Sequence, residues 1–150
     1  MVTHRTKTPV LFFSKKEKEA IVRAIVEAEK CTSGEIRVHL ESGQVSGAKE
    51  RAKEIFEAIG MTQTVGRSGV LIYLNTRGHE FAILGDAGIH AKVGPDYWQD
   101  TAARMERCFR EDRFADGIAQ AVREIGEKLK THFPCGLRDV NELPDEISYS

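Results

Sequence analysis

The run Gly69-Val70-Leu71-Ile72-Tyr73-Leu74 constrains this chain most. It is apolar almost throughout and strand-length, with no polar side to turn to water. It therefore predicts a central strand covered on both faces. Asn75-Thr76-Arg77-Gly78 supplies turn chemistry, and Phe81-Ala82-Ile83-Leu84 is a second apolar run. The pair reads as a β-hairpin. A strand buried on both faces needs helices on both sides, so the flanking sequence must provide them.

It does. Ser14 and Glu17 form the capping-box pattern, Phe13 sits where a hydrophobic staple would, and Ala20, Ile21, Ala24, Ile25 and Ala28 follow at helical spacing. A first helix over about residues 15–30 is predicted. Thr32-Ser33-Gly34 ends it. From Glu35 to Glu41 the chain alternates, with Ile36, Val38 and Leu40 on one face and Arg37 and His39 on the other. That pattern predicts a strand with one better-covered face. Ala48, Ala52, Ile55, Phe56 and Ile59 mark a second helix stopped by Gly60. Beyond the hairpin, Ile89 to Gly94 reads as irregular. Pro95 and Asp96 open a third helix striped by Trp98, Ala102, Met105 and Phe109. Glu111-Asp112-Arg113 breaks the pattern. Phe114, Ile118, Ala121, Val122, Ile125 and Leu129 form a fourth helix ended by Pro134.

The order α-β-α-β-β-α-α contains one β-α-β unit, which calls for a parallel pair, and one hairpin, which adds an antiparallel neighbour. The fold class is α/β: a three-layer α/β/α sandwich around a mixed central sheet. At 150 residues the chain fits one domain. Residues 1–11 read as a flexible basic arm, residues 12–134 as the domain, and residues 135–150 as a polar tail without period.

Lys and Arg total 22 against 23 Asp and Glu, so no net field draws the chain to nucleic acid or anionic membrane. No apolar run approaches bilayer length, and Val10 to Phe13 is too short for a signal-peptide core. The expected location is cytoplasmic. Cys31, Cys108 and Cys135 are scattered and odd in number, which argues for reduced thiols and against a disulfide framework or a structural zinc site. Dinucleotide, Walker A and nucleophile-elbow motifs are absent. The five histidines lie on different elements, without helical metal-pair spacing.

What remains is a set of carboxylates at strand and helix ends. Ligands in open α/β sheets collect outside the carboxyl ends of parallel strands. Glu41 ends the first strand, Asp86 follows the hairpin, and Asp96 begins the third helix. As the antiparallel member of the hairpin, the strand before Asp86 can finish at the opposite edge, so which loops converge depends on strand order; side-chain oxygens that do meet would suit a hard cation, Ca²⁺ or Mg²⁺. Each also has a plainer reading: Glu41 as a solvated strand end, Asp86 in an Asx-turn, Asp96 as a complement to the helix dipole.

Three segments resemble one family. They are Thr32-Ser33-Gly34-Glu35-Ile36-Arg37-Val38, the hairpin running on through Gly85-Asp86-Ala87-Gly88-Ile89, and Phe109-Arg110-Glu111-Asp112-Arg113-Phe114-Ala115-Asp116-Gly117-Ile118. In order and spacing they are similar to the TPM domain family, short bacterial subgroup, over roughly residues 12–133. The resemblance implies an α/β/α sandwich and divalent-cation binding, Ca²⁺ preferred, at acidic loops beside the sheet. It implies Asp96, within Gly94-Pro95-Asp96, as a family-matched position. Asp86 is matched within the short subgroup, and Glu111 and Asp112 lie inside the matched helix-break segment. A plant lumenal member is linked to photosystem repair and acid phosphatase activity.

The leading expectation is a non-catalytic, Ca²⁺- or Mg²⁺-binding interaction domain with an unidentified protein partner, no nucleic acid and no membrane span. Its candidate ligands are Asp86, Asp96, Glu41, Glu111 and Asp112. One alternative is a metal-assisted phosphomonoesterase with Arg110 or Arg113 clamping the phosphate. The other is a scaffold that binds no ligand.

Overall fold

A computed structural model describes residues 5–43, 47–135 and 145–150. The sheet runs in the order β3-β2-β1-β4, with β1 Glu35–Glu41, β2 Gly69–Asn75, β3 Phe81–Gly85 and β4 Ser148–Tyr149. β1 pairs parallel with β2, Glu35 opposite Gly69 and Glu41 opposite Asn75, and parallel with β4 on its other side. β2 and β3 form the antiparallel hairpin. The mixed sheet and its hairpin are those the apolar runs predict.

Helices cover both faces. The face carrying Ile36, Val38, Leu40, Val70, Ile72 and Leu74 packs against α2 (Lys15–Glu29), α5 (Gln99–Arg110) and α6 (Phe114–His132). The face carrying Leu71 and Tyr73 packs against Ala52, Ile55 and Phe56 of α3 (Ala48–Ala58). All seven β2 residues are buried, which is why that segment has no polar phase. The Ser14–Glu17 capping box forms in full at the start of α2. Where α2 crosses α6, a Cβ on Gly126 would lie 2.6 Å from Ala28 Cβ, so glycine sets how closely these helices approach.

Four segments depart from the sequence reading. Residues 87–93, read as irregular, form α4 (Ala87–Val93), with Asp86 accepting from the Ala87 N–H at its start. The helix expected from Pro95 begins at Gln99. In the segment read as a loose arm, Pro9–Phe12 makes one helical turn (α1), and Arg5 grips Glu17 with two nitrogens at 2.9 and 2.7 Å. In the segment read as a polar tail, Asp145 to Ser150 returns to the sheet and supplies β4. Residues 136–144 of that tail and 44–46 of the loop after β1 lie outside the described residues. Among the described residues, no helix is long and apolar enough to cross a membrane.

Candidate metal centre

The odd-numbered residues of β1 form a polar stripe, Glu35-Arg37-His39-Glu41, on the α3 side of the sheet. Most of it is buried, so each group must be satisfied or shift its protonation.

At the carboxyl end of the strand, Glu41 is satisfied. Arg51 Nε of α3 donates to both its oxygens at 3.0 and 2.9 Å, the Tyr73 hydroxyl donates at 2.7 Å, and Ser150 Oγ lies at 3.0 Å. The Arg51 guanidinium holds the Glu41 carboxyl down at about 2, against the opposing effect of burial. Beside it, His39 Nδ1 and Nε2 meet Ser148 Oγ at 2.7 Å and Ser150 Oγ at 2.8 Å. Burial holds His39 down to about 4, so the ring is neutral. Glu41 therefore already has its cation, and its work is to lock α3 and the C-terminal segment onto the sheet.

Asp86 lies at the opposite edge. β3 runs antiparallel to β2, and the Asp86 N–H donates to the Gly69 carbonyl. Asp86 and Glu41 are thus separated by the length of β1, about 20 Å. Arg67 grips both Asp86 oxygens at 2.6 and 2.8 Å, and the Ala87 N–H adds a bond at 2.7 Å. Asp96 is exposed and accepts from the Gln99 side chain at 3.2 Å. Glu111 pairs with Arg113 at 3.0 Å. Asp112 has φ 61° and ends α5 in a Schellman motif, where its own N–H reaches Phe109 O and the Arg113 N–H reaches Cys108 O. The structure does not bring these five carboxylates to one place. The plainer readings do not all hold either: Glu41 is buried and ion-paired rather than solvated, and Asp96 precedes the helix that starts at Gln99.

The convergence lies at the amino end of β1. Glu29 is the last residue of α2, Glu35 the first of β1, and Asp145 begins the returning C-terminal segment. One ligand oxygen from each lies within 4.8 Å of the others. Glu35 is only 3% exposed. Glu29 Oε2 accepts from the Ile36 N–H at 2.8 Å, which ties the end of the helix to the start of the strand. Asp145 Oδ1 is buried with no hydrogen-bond partner among the described residues.

The electrostatics there invert those of Glu41. Burial pushes the Glu29 carboxyl far above the usual range, and a hydrogen bond shared with Asp145 and the charge of Glu35 add to it. Glu29 sits in the last turn of α2, at the negative end of the helix dipole, which adds to the unfavourable field on its carboxylate. Arg37, two residues along the stripe, has Glu146 as its electrostatic partner. A partly buried, oxygen-only donor set with excess negative charge fits Ca²⁺ or Mg²⁺ and lacks the nitrogen or sulfur that zinc favours. Without a cation, a proton on Glu29 relieves the crowding.

Sequence reasoning passed over all three residues. Glu29 looked like an ordinary helix end and Glu35 like the first residue of a strand, while Asp145 sat in a tail without period. The short turn between Glu29 and Glu35 was the available signal, because it forces the two to be neighbours.

Comparison with known proteins gives the class. The sequence matches the TPM domain family over residues 8–128, and the chain belongs to that family. Among solved structures it is similar to the NMR structure of BA42 protein from the psychrophilic bacterium Bizionia argentinensis. That likeness has a TM-score of 0.86 and 38% sequence identity, over 93% of this chain and 96% of the other. No curated protein matches.

Proposed function

We propose that this TPM domain is a non-catalytic divalent-cation-binding module that holds Ca²⁺ or Mg²⁺ between Glu29, Glu35 and Asp145. The observation that carries this reading is the meeting of three carboxylates from three separate segments within 4.8 Å. Such an arrangement is costly unless a positive charge joins it. A bound ion would replace the proton on Glu29 and give Asp145 Oδ1 a partner. It would also cross-link α2, β1 and the C-terminal segment, so that ion binding sets how firmly β4 stays on the sheet. A protein partner that senses the ion would read that edge.

The phosphomonoesterase reading gains no support from the geometry. Arg110 pairs with Glu106 and Arg113 with Glu111, exposed ion pairs that already occupy these guanidiniums.

The test is thermal unfolding with and without millimolar Ca²⁺ or Mg²⁺. A ligand that binds only the folded state raises the Tm by mass action. The wild type should gain several degrees, and Glu35→Gln should gain nothing. An unchanged wild-type Tm in both ions, or an equal rise in the variant, would sink the assignment.

A further inference from the structure

We propose that Cys31 and Cys135 form an intramolecular disulfide by exchange with a low-molecular-weight disulfide of the glutathione class, clamping the end of α6 to the turn between α2 and β1. The three cysteines are scattered along the chain. The fold brings two of them into register.

Thr32 and Pro134 face each other as an isolated antiparallel bridge. The Ser33 N–H donates to the Phe133 carbonyl at 3.0 Å, the cross-strand bond expected beside that bridge, while the Phe133 N–H caps α6 on the Leu129 carbonyl. Thr32 Oγ1 also donates to the Phe133 carbonyl and fixes the register. Antiparallel pairing then sets Cys31 directly opposite Cys135. Opposed residues in such pairs have Cα atoms about 4.5–5.5 Å apart, within the roughly 4.4–6.8 Å that a disulfide accepts. A second observation agrees: Cys135 Sγ lies 2.9 Å from the Lys30 carbonyl oxygen, and that carbonyl is bonded to the Cys31 nitrogen. Both residues are exposed, so a small disulfide can reach them, whereas Cys108 is buried.

The chemistry balances as two exchanges. The Cys31 thiolate attacks one sulfur of oxidised glutathione. That S–S bond breaks, and the departing glutathione thiolate takes up the proton that Cys31 released to solvent. The Cys135 thiolate then attacks Cys31 Sγ in the mixed disulfide. The second glutathione leaves and is protonated in turn. The two protein thiols are oxidised, and one glutathione disulfide is reduced to two thiols. The new bond closes residues 31–135 into one long loop, the case in which a cross-link most restricts the unfolded chain.

The full chain is incubated with oxidised glutathione, alkylated, and mapped by mass spectrometry. The expected product has lost two hydrogens and yields a cross-linked peptide joining Cys31 to Cys135. Cys108 stays alkylatable after unfolding, and the Tm rises by roughly 5–15 °C, reversibly with dithiothreitol. Cys31→Ser and Cys135→Ser should each instead retain one glutathione on the remaining exposed cysteine. Glutathione held on both cysteines of the wild type without a cross-link, a covalent dimer, or unreacted thiols would each overturn the proposal. The readout needs no cation, so it stands or falls apart from the metal reading.

Discussion

Glu35 and Glu41 begin and end the same strand, point to the same face and are almost equally buried, 3% and 6% exposed, yet their surroundings are opposites. At the Glu41 end an arginine, a tyrosine hydroxyl and a serine hydroxyl converge on one carboxylate and hold it ionised. At the Glu35 end two further carboxylates and a helix C-terminus converge instead, and one carboxyl keeps its proton. A buried acid that has its own cation is a structural tie. Under the proposed reading, a buried acid crowded by other acids is the one that takes a cation. Burial alone does not separate the two; the charge of the neighbours does.

The contrast breaks most visibly at the satisfied end. Glu41→Ala leaves Arg51, the Tyr73 hydroxyl and Ser150 without their shared acceptor. It should cost about 3 kcal/mol of stability by urea unfolding, toward the low end for a buried pair because Arg51 is partly exposed. The same tie sets an acid limit. The folded Glu41 carboxyl titrates at about 2, below its ordinary value of 4.5. Its stabilisation is therefore complete above about pH 4.5 and is lost as pH falls toward 2. Arg51→Met should flatten that acid limb of the stability curve, and an unchanged limb would show that Arg51 is not the cause.

At the crowded end the sign reverses. The Glu29 carboxyl is raised, so the folded state binds its proton more tightly than the unfolded chain does. Its contribution is full below the ordinary value of 4.5 and declines as pH rises above it. Glu29→Gln mimics the protonated acid and keeps an acceptor for the Ile36 N–H. It should raise stability near neutral pH by about 1–2 kcal/mol, with the gain vanishing in acid. Loss of stability at neutral pH would contradict the crowding argument. The smallest expected effect is at Asp112, whose left-handed backbone glycine adopts more easily. Asp112→Gly should add about 0.5 kcal/mol, read as a shift in the urea midpoint.

Much of this architecture is legible in the sequence. The β2–β3 hairpin, β1 and the α2, α3 and α6 stripes are local periodicities, and each formed where the pattern placed it, although the β1 face read as less covered is buried at Glu35, His39 and Glu41. α4 was missed because it buries only Ile89 and carries Gly88, leaving no stripe to read, although Asp86 and Gly94 bracket it as caps. β4 was missed because two residues have no period; their pairing depends on the open edge of β1, a non-local fact. The site failed for the same reason. Glu41 and Asp86 were correctly seen as strand-end acids, but the cations that neutralise them, Arg51 and Arg67, come from elements whose placement needs the strand order. Asp145 becomes a neighbour of Glu29 only once the chain has returned to the sheet.

An amide-resonance titration with Ca²⁺ compares the two ends of β1 in one experiment. Cation binding at the crowded end should move Glu35, Ile36 and the residues around Asp145, while the amides around Glu41, Asn75 and Thr76 stay in place. Movement at the Glu41 end or along residues 86–96, with Glu35 and Ile36 unmoved, would contradict the account.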